Sequence, residues 1–203
     1  MDIIEQFKEA IQAAGIDEPP IEVESDGKIH RFGLKGKGWY VLHGDNIPAG
    51  AFGVWGKLDK CKFIANIGRE ITNEERKTCN KRTEEAIKKA QAEREAKQNA
   101  AASRAKRIWI ESGIVNPTHA YLIKKDVKPH GIKQKGKFLI IPLYDEEGMI
   151  VSLQSVDPEG KKKFLPGGRK KGCLCFIGEI KDDIYICEGF ATGASIHEAT
   201  GQA

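Results

Sequence analysis

In GKFLIIPLYDEEGMIVSLQSVDPEGKKKFLPGG, residues 136–168, short apolar and β-branched runs alternate with turn formers. Residues 138–143, 150–155 and 163–165 read as strands, and the segments 145–148, 157–160 and 166–168 supply the acidic, glycine-rich or proline-glycine turns between them. A further strand-like run lies at 174–177. Downstream, DIYICEGFATGASIHEATG (183–201) changes character. An apolar run at 184–187 enters Glu188-Gly189, and 190–200 reads as a helix, so this step predicts the opening β-turn-α unit of a parallel α/β domain.

Working back towards the N-terminus, Asn116-Pro117-Thr118 is expected to start a short helix that ends near Val127, with proline in its first turn. Thr72-Asn73-Glu74-Glu75 has the form of a capping box, and no glycine or proline follows until Gly113. The spacing predicts one long helix, whose middle is too polar to bury a full face and which acts as a spacer; Ile108, Trp109 and Ile110 near Ala105 would dock its far end. Earlier still, runs at 21–23, 28–32, 39–43, 51–55 and 61–64 predict a small antiparallel meander, preceded by an amphipathic helix over 2–14 closed by Gly15. The expected class is α+β. The expected domains are a β-rich block at 1–70, a charged helical linker at 71–113, a subdomain with a basic ridge at 114–181, and the start of an α/β domain at 182–203.

The 203 residues are 40% hydrophobic and 31% charged, which suits a folded chain. No run approaches the length of a membrane span, and the N-terminus is unlike a signal peptide, so a cytoplasmic location without membrane partners is expected. The five cysteines form no CxxC pair and have no histidine at finger-like spacing, so structural zinc is not expected. The formal net charge is only +4, but residues 121–175 hold 12 Lys/Arg against 6 Asp/Glu, a local excess of +6 that leaves −2 for the rest. Charge concentrated in this way suits a polyanion or a solvated lysine-rich face.

Glu188 would stand at the carboxyl end of a strand, where open α/β sheets place their ligands, and its carboxylate suits Mg²⁺ or acid/base work in phosphoryl transfer. An isolated Glu-Gly at a strand end is more often structural. The order of segments at 141–143, 145–148, 150–154, 163–165, 176–178 and 184–189 resembles the catalytic core of bacterial Toprim-class DNA primases. EGFAT at 188–192 and SIHEATG at 195–201 are similar to the Toprim segment of plasmid- and phage-encoded primases, and DGKIHRF and GWYVLHGDNIPAGAFGVW are similar to their N-terminal block.

That resemblance implies a DNA-directed nucleotidyltransferase that makes short primers on a single-stranded DNA template from nucleoside triphosphates with Mg²⁺ or Mn²⁺, with a replicative helicase as a candidate partner. It implies that Glu188 is the catalytic and metal-binding glutamate, and that Lys163 belongs to a ridge guiding template or nucleotide phosphates. Lys161, Lys162, Arg169, Lys170 and Lys171 have charges that suit the same task. Phe138 stands where replicative primases carry an arginine, with Lys137 one step back, a shift that turns its side chain to the other face of a strand. The resemblance also implies a second acidic strand end of Asp-x-Asp type. Counting from 188 to 203 leaves 15 residues after Glu188, none of them aspartate, so this chain is expected to be the front part of such an enzyme and to make no primer alone. The reading from a different class is a non-catalytic single-stranded nucleic-acid-binding regulator.

In the N-terminal block, Trp39, Tyr40, Phe52, Trp55 and His30 suit either a stacking surface for single-stranded DNA or the core of a small β-domain.

Overall fold

The computed structural model describes residues 2–179 and 184–202. It is an α+β chain of two compact units, Met1–Arg94 and Glu95–Ala203, and the division falls within one continuous helix. Among the described residues, no helix is long and apolar enough to cross a membrane.

In the first unit, α1 (Ile3–Ala13) packs on an antiparallel sheet of β1 (Asp26–Phe32), β2 (Gly38–His43), β3 (Ala49–Val54) and β4 (Leu58–Ile64), in that order. The four-residue spacing of Phe7 and Ile11 puts both on one helix face, and both are fully buried against Phe32, Tyr40, Leu42, Phe52 and Phe63. The Phe7 ring meets those of Tyr40, Phe52 and Phe63 edge-on, with centroids 5.6, 5.7 and 5.0 Å away. Gly15, at φ +81°, ends α1 by turning its N–H back to the Gln12 carbonyl at 2.9 Å. Val41 and Ala51, on the other face of the sheet, are also fully buried. Lys62 is paired opposite Ala51 and reaches Glu84 of α2 (Asn73–Glu111) at 3.8 Å, so the first half of α2 lies over this second face.

The start of α2 is a capping box. The Thr72 N–H donates to Glu75 Oε2 at 2.9 Å and the Glu75 N–H donates to Thr72 Oγ1 at 3.2 Å. Arg69 then holds the Glu75 carboxylate in a two-pronged ion pair at 2.6 and 2.9 Å.

In the second unit, β5 (Lys133–Lys135), β6 (Phe138–Tyr144), β7 (Ile150–Val156) and β8 (Lys162–Phe164) form an antiparallel sheet in sequence order. Alternation along the strands sends Leu139, Ile141 and Val156 to one face, where they pack with Tyr121 and Leu122 of α3 (Ala120–Lys125) and Phe190 and Ala194 of α4 (Phe190–Thr200). Ile140 and Leu153 go to the other face and meet Ala105, Ile108 and Trp109 of α2, the docking expected for that end of the helix except that Ile110 is exposed instead.

Several local expectations are corrected. Residues 21–23 form no strand, and Ile21 is exposed in the connection after α1. Asn116-Pro117 makes a turn, with Asn116 Oδ1 accepting from the Thr118 N–H at 2.9 Å, and α3 begins later, at Ala120, capped by His119. The His119 Nδ1 accepts from the Tyr121 N–H while its Nε2 lies 2.9 Å from the Lys137 carbonyl, a pairing that needs the neutral tautomer with the proton on Nε2. The run at 174–177 is reduced to a single bridge between Leu174 and Tyr144. Residues 184–187 are not a buried strand: Ile184, Tyr185 and Ile186 are exposed, and none of the described strands hydrogen-bonds to them. An apolar run becomes a strand only where a neighbouring strand takes up its backbone N–H and C=O groups. Aspartates 182 and 183 lie outside the described residues.

Candidate functional site

The pairing register decides where the lysines of β8 point. Lys163 is paired opposite Ser155 and Lys162 opposite Val156. Side chains directly opposite each other share a face, so Lys163 lies on the side of the sheet covered by α2 and Lys162 on the side covered by α4. The Lys162 Nζ lies 3.5 Å from the point a β-carbon on Gly189 would occupy. Gly189, in extended backbone, is the residue that caps α4, and the exposed Glu188 immediately precedes it. The structure thus sets Lys162 beside Gly189, the residue after Glu188, at the N-terminus of α4, and the free N–H groups of a helix start favour negative charge there.

The other ridge residues are distributed around this point. Lys161 is exposed, and its N–H is turned back to Asp157 Oδ1 at 2.6 Å, the bond that forms the tight turn before β8. The Lys170 amine stands 5.1 Å from the ring centroid of Phe164, which is on the Lys162 face. Arg169 is engaged by Glu146 at 2.6 Å; this pairing raises the Arg169 pKa, while a bond from its own backbone N–H, and then the pairing, lower that of Glu146. Lys171 is exposed, and its carbonyl accepts from Arg169 Nε. Lys137 lies at the start of β6, its amine 5.6 Å from the Phe138 ring centroid. Arg104 of α2 donates to the Pro166 carbonyl at 2.7 Å and so fixes the loop between β8 and Arg169.

Beside Lys162 and Gly189 lies a mostly apolar cavity of about 390 Å³, bordered by Phe164, Phe176, Tyr185, Cys187 and Phe190, with Gln154 as a polar group in its wall. Burial, and then the neighbouring Cys187 thiol, push the Cys175 thiol up to about 11, so it stays protonated near neutral pH. Sequence reasoning named Glu188 and the lysines as candidates and foresaw neither the cavity nor the position of Lys162 beside Gly189. The signal was the two-residue period of β8, which separates Lys162 from Lys163 once the register is known.

Among the described residues, one group, Glu24, Asp26 and His30, brings three potential metal-ligand atoms within 4.8 Å of one another. These atoms already serve one another and Lys28. His30 Nε2 is 2.8 Å from Asp26 Oδ1 and Lys28 Nζ is 3.0 Å from Asp26 Oδ2, so the hydrogen bond from His30 and those from Lys28 hold the Asp26 carboxyl far below the usual carboxylate range. Among the described residues, Glu188 belongs to no such group. Its exposed carboxylate is a ligand type for a hard divalent cation such as Mg²⁺, which keeps several waters and takes one or two protein carboxylates.

Two proteins of Escherichia coli, each named DNA primase TraC, are similar to this chain over 98% of its length, one 27% identical over 221 aligned residues and the other 30% identical over 222. They support a primase family for the chain. The chain spans 15% of the length of the first and 20% of the second. No family model matches the chain, and no solved structure matches it.

Proposed function

We propose that this chain forms the template- and nucleotide-handling part of a Toprim-class DNA primase, which makes short primers on single-stranded DNA by metal-dependent nucleotidyl transfer. The observation that carries the reading is the meeting of Lys162 with Glu188-Gly189 at the start of α4, in a chain similar along its length to proteins named primases. In this reading the Lys162 ammonium and the N–H groups at the start of α4 hold triphosphate oxygens. Glu188 supplies a carboxylate ligand to the Mg²⁺ or Mn²⁺ that accompanies the triphosphate. When bound, that cation withdraws charge from the reacting phosphate and orients it. Lys161, Lys170 and Lys171 add the field that draws the template strand in, and the aromatic wall of the cavity offers a face for a base.

The test is dinucleotide synthesis from radiolabelled triphosphates on a single-stranded template with Mn²⁺ or Mg²⁺, using the longest polypeptide the gene encodes. Glu188→Gln should abolish synthesis while leaving the circular dichroism spectrum unchanged, because it keeps size and hydrogen bonding and removes only the charge. Full activity in that variant would overturn the role of Glu188. Binding of single strands without synthesis in the unmutated protein would instead favour a non-catalytic regulator.

A further inference from the structure

Three side chains line up across the second sheet beneath the cavity beside Gly189. Ile141 of β6 is paired opposite Gln154 of β7, and Gln154 opposite Phe164 of β8, so the three share the face that α4 covers, and all three border the cavity. Lys162 stands two residues before Phe164 on the same strand and therefore leaves the same face, about 7 Å along it. The cavity, at about 390 Å³, is near the lower end of the range for small-molecule sites. Phe164 and Phe176 in its wall are both partly exposed and offer ring faces to a ligand.

Gln154 is the exception in this apolar wall. Among the described residues its side-chain amide has no hydrogen-bond partner, and the Lys162 amine forms no ion pair. One amide donor pair, one amide acceptor and one ammonium are thus available to whatever enters. A nucleotide presents matching groups in the same order: a flat base, the polar edge of that base, and phosphates at the far end.

We propose that the cavity holds the base of an adenine nucleotide and that Gln154 is the residue that selects it. The assignment rests on Lys162 holding the phosphates, as in the primase reading. A base that must also pair with a template keeps its pairing edge free, which leaves its other edge to the protein. On that edge adenine carries the N6 amino donor beside the N7 acceptor, and one amide answers both, its carbonyl accepting from N6 while its NH₂ donates to N7. Guanine carries two acceptors there, O6 and N7, so the Gln154 carbonyl would face an oxygen. Cytosine and uracil carry a single polar group on that edge and can make one bond. Lys162 takes the phosphates whichever base is attached, and the phenylalanine rings stack on any base, so the ranking of bases falls to Gln154.

The experiment is calorimetric titration of the chain with ATP, GTP, CTP, UTP and 7-deaza-ATP, each with Mg²⁺ and with no template present, so that base pairing cannot set the order. ATP should bind about tenfold more tightly than the other three natural triphosphates, the worth of a two-pronged base contact. 7-deaza-ATP, in which carbon replaces the N7 acceptor, should bind several-fold more weakly than ATP. Gln154→Met keeps the length of the side chain and removes both bonds. It should bring ATP and 7-deaza-ATP to the level of the other triphosphates and leave the affinity for UTP as it was, which also shows that the variant is folded. Phe164→Ala should weaken all four natural triphosphates and keep their order. An ATP preference that survives Gln154→Met, or 7-deaza-ATP binding as tightly as ATP, would overturn selection by Gln154 while leaving the role of Lys162 intact, provided that Lys162→Gln weakens all four. Failure of every triphosphate to bind, or binding that Lys162→Gln does not weaken, would overturn the nucleotide reading of this site and the selection with it.

Discussion

Lys162 and Gly189 lie against each other across the edge of the second sheet, the lysine amine 3.5 Å from where a β-carbon on the glycine would be. The adjacent Lys163 is turned to the opposite face by the alternation of β8. If Lys162 holds a triphosphate, its replacement by glutamine should weaken nucleotide binding by about tenfold, the usual worth of a charge-assisted hydrogen bond. Lys163→Gln should leave nucleotide affinity nearly unchanged. Calorimetric titration of each variant with a nucleoside triphosphate and Mg²⁺ makes the comparison, and equal losses in both would remove the distinction.

Joint replacement of Lys161, Lys162 and Lys163 by glutamine should lower affinity for single-stranded DNA of every sequence alike. The log–log salt dependence should fall by about 0.7 for each phosphate that the variant no longer neutralises. A salt titration by fluorescence anisotropy with two unrelated oligonucleotides measures both effects, and an unchanged slope would place the binding face of this unit elsewhere.

Glu75 links acidity to the stability of α2. The Arg69 guanidinium, and then the Thr72 N–H, lower its carboxyl from 4.5 to about 2 in the folded chain. A depressed pKa means that the carboxylate stabilises the fold fully above the unfolded value, and that this contribution fades as pH drops towards about 2. Glu75→Gln should therefore lower the melting temperature at pH 7, with the difference from the unmutated chain shrinking between pH 4.5 and about 2. Thermal melts followed by helical circular dichroism at several pH values test this. Thr72→Ala removes the other half of the box and should cost about 1 kcal/mol at neutral pH.

Phe7→Ala should cost about 3–5 kcal/mol, because the ring is fully buried and its loss opens a cavity among Tyr40, Phe52 and Phe63. Gly50→Ala tests the same unit from the backbone side. A β-carbon there would lie 2.0 Å from the Val41 carbonyl oxygen, so the β2–β3 pairing would have to separate. Urea unfolding of both variants, compared with a surface change such as Lys57→Gln, reads out each cost.

The sequence by itself was enough for the elements whose signals are local. The Thr72 and Glu75 spacing set the start of α2, Gly15 the end of α1, and seven of the ten strand-like runs correspond to β1–β4 and β6–β8, whereas the short β5 was not foreseen. Caps, glycine turns and period-two runs act within a few residues, so they can be read without knowing what packs against them. Tertiary structure decided what depends on a partner distant in the chain. It placed Tyr40 and Phe52 in the core under Phe7 and left Trp55 outside with Arg31, although all of these aromatics look alike in sequence. It left residues 184–187 without strand partners despite their apolar run. It also separated Lys162 from Lys163, because side chains on a strand alternate while the choice of face comes from the register against β7, and that register is fixed only when Val156 is buried against Phe190 and Ala194.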